Sequence, residues 1–288
     1  MSALANREYV KMNGLGNEIV IVDLRRAPGA ITAPEARAAA RHEPYDQLMA
    51  LYPARGSADA SIRIYNTDGS EAGACGNGMR CVASLLAAET GKAVLDFETP
   101  AGLISCWRAG EALFAVDMGQ PRFRWDEIPL ARDMPDTRAI DLKFAAPGAP
   151  VLHSPSAVSM GNPHAIFWVD DPQAYDLRKL GPMLEHHPLF PQRANVTLAN
   201  VAARDHLVIR TWERGAGLTQ ACGSAACAAA VAAARLDRTG RQVTVSLPGG
   251  DLAIEWRAEN DHVLMTGPVE YEHKGRFAAA LFAAAGVT

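Results

Sequence analysis

The chain has 288 residues, 49% hydrophobic and 21% charged, with a net charge of −4 and no basic stretch. This is ordinary globular composition, long enough for one large domain or two smaller ones, and it argues against a nucleic-acid partner. No apolar run reaches the roughly 18 residues a transmembrane helix needs, and the N-terminus MSALANREYV lacks the basic-then-apolar layout of a signal peptide, so the expectation is a cytoplasmic protein with no membrane contact.

In chain order, the first clear element is an apolar, β-branched strand, IVIVD (19–23), introduced by Gly16-Asn17. A helix is predicted over 76–90, opening after a Gly-rich polar stretch and stopping at Gly91. A strand, AVLDFET (93–99), and a hairpin-like pair follow. Residues 121–150, rich in Pro, Arg and Asp, read as a linker. Then the pattern restarts with a strand AIFWV (165–169) and an Ala-rich helix over 223–238 with Gly240 as its stop. The strand VTVSLP (243–248), a Pro-Gly turn and another hairpin complete it.

The restart is an internal duplication. GNEIVIVD (16–23) is matched by GNPHAIFWVD (161–170), and ACGNGMRC (74–81) by ACGSAAC (221–227). TPAGLISCWRAG (99–110) is matched by LPGGDLAIEWRAE (247–259), and VDMGQP (116–121) by LMTGPV (264–269). Asn17 and Asn162 lie 145 residues apart, Cys75 and Cys222 147, Pro100 and Pro248 148, and Trp107 and Trp256 149. Two related α/β domains are therefore expected: residues 1–125, with 275–288 as a candidate return to them, and residues 126–274. A pseudo-twofold between such halves favours a ligand cleft between them.

Five cysteines are present: Cys75, Cys81, Cys106, Cys222 and Cys227. Their spacings do not match the Cys-x2-Cys pairs of zinc sites, so no metal is expected. Cys81, Cys106 and Cys227 lie in apolar helical or strand contexts and read as small core residues. Cys75 and Cys222 differ, because both halves place them alike at the start of a predicted helix. Each is followed by Gly and a small polar residue, Gly76-Asn77 and Gly223-Ser224. A helix N-terminus offers backbone N–H groups and partial positive charge, which bind carboxylates and make a thiolate more accessible.

Two such thiols suit inversion of a carbon that bears hydrogen. One thiolate removes the proton from one face and the opposing thiol delivers a proton to the other. Helix N-termini aimed at the substrate carboxylate stabilise the carbanion between these steps. Pyridoxal phosphate is the usual alternative, but none of the five lysines sits in a glycine-rich phosphate-binding setting, which favours a cofactor-free route.

The motifs KMNGLGNEIVIVD (11–23), NTDGSEAGACGNGMRC (66–81), MGNPH (160–164), Asn195, WERGAGLTQACGSAAC (212–227) and LPGGDL (247–252) resemble the diaminopimelate epimerase family, in order and over nearly the whole chain. The resemblance implies an α+β fold of two pseudo-symmetric domains, each a mixed or antiparallel sheet wrapped around a central helix, with the active site in the cleft between them. It implies interconversion of LL- and meso-diaminopimelate without metal or cofactor, in lysine and peptidoglycan-precursor synthesis, by a homodimer. Carried over by position, it makes Cys75 and Cys222 the acid–base pair, and Gly76, Asn77, Gly223 and Ser224 the carboxylate cradle. Asn17, Gln47, Asn66, Asn162, Asn195, Glu213 and Arg214 would hold the substrate. His164 and Glu213 would tune the thiols. Arg214 suits the second carboxylate of such a substrate, which it can grip with two donors.

The chain departs from the family pattern at three places. Asn13 stands where the family more often has His. The segment RHEPYDQLMAL (41–51) lacks the glycine-rich stretch usual before the Asp-Gln pair, so Gln47 is placed by Asp46-Gln47 alone. Ala225 stands for Gly and requires a helical backbone there. The remaining alternative is another two-cysteine racemase, of the proline or hydroxyproline type, which has no use for Arg214. A thiol-redox protein would want a Cys-x-x-Cys motif, and neither key cysteine has one.

Overall fold

The computed structural model describes residues 2–145 and 150–283. The chain divides into two compact units. The first runs to Val116 and resumes at Gly267; the second is Asp117–Thr266. Residues 117–125 and 267–274 thus lie in the opposite units from those the sequence reading gave them. Of the expected return over 275–288, residues 284–288 lie outside the described residues.

The first unit contains strands Glu8–Asn13, Glu18–Asp23, Gln47–Tyr52, Ala60–Asn66, Val94–Thr99, Gly102–Arg108 and Leu113–Asp117, with Glu270–Arg276 pairing onto the first of them. Glu8–Asn13 pairs antiparallel with Glu18–Asp23, which runs parallel to Gln47–Tyr52. Ala60–Asn66 is antiparallel to Gln47–Tyr52 and touches Val94–Thr99 in parallel. Two antiparallel hairpin steps complete the sheet. Its helices are α1 (Ala33–His42) and α2 (Gly76–Thr90).

The second unit repeats this order. Ser156–Ser159 is antiparallel to Pro163–Trp168, which is parallel to Asn195–Ala203; His206–Glu213 is antiparallel to that strand and parallel to Gln242–Leu247. Gly250–Trp256 and Val263–Pro268 add the final antiparallel steps. Its helices are α3 (Leu177–Glu185) and α4 (Gly223–Arg235), at the places of α1 and α2. The duplication is therefore one topology built twice, and each unit has a second helix that the sequence reading did not include.

Each sheet is covered on both faces, which is why IVIVD is continuously apolar rather than alternating. On one face of the first unit, Val20, Val22, Leu48 and Ala50 pack with Ala36 and Ala39 of α1. The alternate residues Ile19, Ile21, Met49 and Leu51 face α2. In the second unit α4 packs against six strands, and residues 225–233 are all buried. A helix apolar on every side is a core helix, and its alanines let the sheet wrap closely around it.

The expected linker is instead part of a core. Ile128, Leu130, Met134, Ile140 and Leu142 are buried with Leu177, Leu180 and Leu184 of α3. Residues 146–149 of that segment lie outside the described residues. α2 ends as expected, with Gly91 left-handed at φ 72°. α4 stops before Gly240, because Asp237 takes the left-handed position at φ 52° and the amides of 236–238 bond back onto carbonyls of 232–234. Among the described residues no helix is long and apolar enough to cross a membrane.

Candidate active site

In the first unit the strand register gathers the site. Ile19 pairs with Gln47 and Gln47 with Asn66, so Asn17, Gln47 and Asn66 stand at one end of three neighbouring strands. Cys75 is the N-cap of α2, and its Sγ accepts from the Gly78 amide at 3.3 Å. The thiol faces Gln47 Oε1 at 3.3 Å and Asn17 Oδ1 at 3.7 Å. The Gln47 assignment, drawn from one dipeptide, thus lands against the key cysteine. A Cβ on Gly78 would come within 2.8 Å of Met49 Sδ and 3.4 Å of Cys75 Sγ, so the missing side chain makes room for this approach.

Asn17 is oriented by a residue given no role from sequence. Asp46 Oδ2 accepts from Asn17 Nδ2 at 2.8 Å and from the Glu18 amide at 2.8 Å. A carboxylate accepts only, so the amide nitrogen turns to Asp46 and the oxygen to the thiol. The turn before Asn17 contains Leu15 and Gly16 at φ 67° and 81°, and Asn13 Oδ1 closes it by accepting from Gly16 N at 2.6 Å. Asn13, the departure from the family's His, therefore has a turn-forming role. Asn66 Nδ2 donates to Ser70 Oγ at 2.9 Å. Gly76 and Asn77 form the first turn of α2, where Asn77 Oδ1 accepts from the fully buried Arg80 at 3.0 Å.

In the second unit, His164 pairs with Asn195 across the parallel strands, and Glu213 ends the next strand over. Cys222 precedes α4 as its N-cap, buried, with Sγ 3.6 Å from Ser224 Oγ. Burial pushes its pKa well above the ordinary thiol value, and the charge and hydrogen bond of Glu213 push it further; the Ser224 hydroxyl and the Ala225 amide act the other way. These influences keep Cys222 in its thiol form beside the Glu213 side chain. Glu213 is held in turn by Thr219, whose hydroxyl donates to Oε1. Ala225 is helical, as its replacement of Gly requires.

His164 is wholly buried, and burial drops its pKa to about 3, with the Arg214 charge adding to the drop. The ring is therefore neutral. Nε2 bonds Asn162 Oδ1 at 2.8 Å, so it carries the proton and leaves the Nδ1 lone pair as an acceptor. Nδ1 has no hydrogen-bond partner among the described residues. Asn162 Nδ2 donates to Ser224 Oγ at 3.3 Å, which completes a chain from His164 through Asn162 and Ser224 to Cys222.

Asn195 ties Pro163 to the start of the Arg214 turn. It is buried, its Nδ2 donates to Pro163 O at 3.2 Å, and its Oδ1 accepts from Arg214 N at 2.9 Å. Its amide is engaged with the backbone that carries Arg214. Arg214 Nη1 donates to Gln192 O at 3.0 Å. Among the described residues, no three His, Cys, Asp or Glu are grouped to hold a metal ion.

The geometry is thus one cysteine at the N-cap of each central helix, with strand-end acceptors around it. The family model described as "Diaminopimelate epimerase" matches residues 9–124 and 156–272. A diaminopimelate epimerase of Rhodopseudomonas palustris (strain TIE-1) is 63% identical over 287 residues, covering 99% of this chain and 98% of the relative. One from Nitrobacter hamburgensis is 62% identical over 287 residues, covering 98% and 99%. Among solved structures, a protein from Pseudomonas aeruginosa described as a predicted epimerase superposes with a TM-score of 0.67 at 19% identity, covering 94% of this chain and 99% of that one. A hydroxyproline epimerase from Agrobacterium vitis gives 0.66 at 15%, covering 96% and 94%. Those two share the fold; the family model's match over most of the chain, with the high identity and near-identical length of the curated relatives, carries the assignment: the chain belongs to the diaminopimelate epimerase family.

Proposed function

We propose that the protein interconverts LL- and meso-diaminopimelate by a two-base mechanism in which Cys75 and Cys222 address one α-carbon from opposite faces. The observation that carries this reading is the twice-built constellation, a cysteine capping the central helix of each unit beside acceptors at the strand ends. Glu213 takes the Cys222 proton when that thiol serves as base. The first-turn amides of α2 and α4 receive the α-carboxylate and stabilise the carbanion. Arg214 pairs with the distal carboxylate. His164, held neutral by burial, orients Asn162 and through it the Ser224 hydroxyl beside the Cys222 thiol, and so tunes that thiol. The reading includes a cytoplasmic homodimer serving lysine and peptidoglycan-precursor synthesis; light scattering on the purified protein checks the dimer.

The test is incubation with LL-diaminopimelate in deuterated water, with no cofactor added. The expected result is the meso isomer carrying deuterium at one α-carbon. Cys75→Ala and Cys222→Ala should each abolish epimerisation and retain the wild-type circular dichroism. No exchange by the wild type sinks the reading, and exchange with proline alone moves the protein to the proline-racemase type.

A further inference from the structure

The turn that presents Glu213 and Arg214 is held from behind by Glu185, the last residue of α3, which is 3% exposed. Its Oε2 accepts from Trp212 Nε1 at 2.7 Å. Its Oε1 accepts from Gly215 N at 3.0 Å and from Arg193 Nη1 at 3.2 Å. Trp212 and Gly215 are the residues immediately before and after Glu213-Arg214. One carboxylate therefore grips both flanks of that dipeptide, while Asn195 Oδ1 holds the Arg214 amide between them at 2.9 Å. Three donors converge on Glu185, which calls for an acceptor-only group with two oxygens. The contact is also built sterically. Gly181, one turn earlier in α3, leaves space for the indole, and a Cβ there would come within 2.3 Å of Trp212 Cδ2.

We infer that Glu185 is a positioning residue for the epimerisation: by fixing the 212–215 turn it sets the Glu213 carboxylate against the Cys222 thiol and aims Arg214. The inference rests on the reading of Cys222 and Glu213 as proton carriers given above. Replacing Glu185 by Gln keeps the size but presents an NH2 group to at least one of the three donors. The turn then shifts, and Glu213 loses its fixed place beside the thiol.

The test is the pH dependence of alkylation at each cysteine, read by peptide mass spectrometry on the full-length protein, together with epimerase kinetics. Cys75 lies in the other unit and serves as the internal control. Glu185→Gln is expected to move the Cys222 profile to lower pH by about one unit, because the negative charge beside the thiol withdraws. The Cys75 profile should stay where it is. The kcat should fall roughly 10- to 100-fold, the size of a misplaced catalytic group. Trp212→Phe removes one donor and keeps the ring, and should act in the same direction with a smaller effect, so the result does not hang on a single variant. A Cys222 profile unmoved in both folded variants overturns the inference, as does one that moves in step with Cys75. If Cys222→Ala keeps full epimerase activity, the two-thiol reading fails instead, and that result is separate from the Glu185 profiles.

Discussion

Acidification from pH 7 to pH 5 is expected to weaken the second unit through His164. Burial holds its pKa at about 3 in the folded protein, against 6.5 for an unburied imidazole. The depressed value means that the folded state keeps the ring neutral while the unfolded chain takes up a proton. Stability from this residue is therefore complete above pH 6.5 and is lost as pH falls from there towards 3. At pH 5 the unfolded form is favoured by about 1.5 pH units of protonation, or about 2 kcal/mol at 1.36 kcal/mol per unit. Carboxylates such as Asp23, Glu35 and Glu43, whose pKa values are lowered, lose their contribution only at more acid pH and stay outside this window. Urea unfolding followed by tryptophan fluorescence is the suitable assay, because Trp125, Trp168, Trp212 and Trp256 lie in the second unit and only Trp107 in the first. His164→Gln should be less stable at pH 7, yet it should lack the extra 7-to-5 loss of the wild type. Equal losses in the two proteins would refute a neutral, desolvated His164.

Glu213→Gln should lower kcat roughly 100-fold or more, the usual range for removing a general base, and should extend Cys222 alkylation to lower pH, since Glu213 raises that thiol; unchanged kcat would remove Glu213 from the proton path. Gly181→Ala should destabilise the second unit by about 1–3 kcal/mol in the same urea assay, because its Cβ meets the Trp212 ring in a packed interior. Asp46→Asn frees the Asn17 amide to turn its nitrogen towards Cys75, which favours the thiolate and should extend Cys75 alkylation to lower pH; no change would mean that Asp46 does not set that orientation.

What could be read from the sequence was whatever a residue demands of its immediate neighbours. The Gly-Asn turns and the Ala-Cys-Gly helix starts are such demands, and so the duplication and the two cysteines were visible. α1 also carries a local sign, the Thr32-x-x-Glu35 capping box. The 121–150 segment left none. Ile128, Leu130, Ile140 and Leu142 are buried from irregular chain, so no period of 2 or 3.6 marks them. Glu185 was equally hidden, because two of its three donors come from Trp212 and Gly215, some thirty residues on.

The strand register adds a distinction that the motifs do not carry. Counting from the matched asparagines, His164 occupies the place of Ile19 in the first unit. By the pairings Gln47–Asn66 and Val196–Trp212, Asn195 occupies the place of Gln47 and Glu213 that of Asn66. The frame is duplicated, but its side chains have diverged. Around Cys75 the strand-end acceptors are neutral amides, Asn17 and Gln47; around Cys222 they include a carboxylate, with an imidazole in the same hydrogen-bonded chain. A neutral amide can accept a hydrogen bond from a thiol but cannot keep its proton, whereas Glu213 can do both. The duplicated frame therefore surrounds its two N-cap cysteines with unlike groups, and on the proposed mechanism variants at equivalent positions in the two units should not have equivalent effects on the two directions of proton transfer.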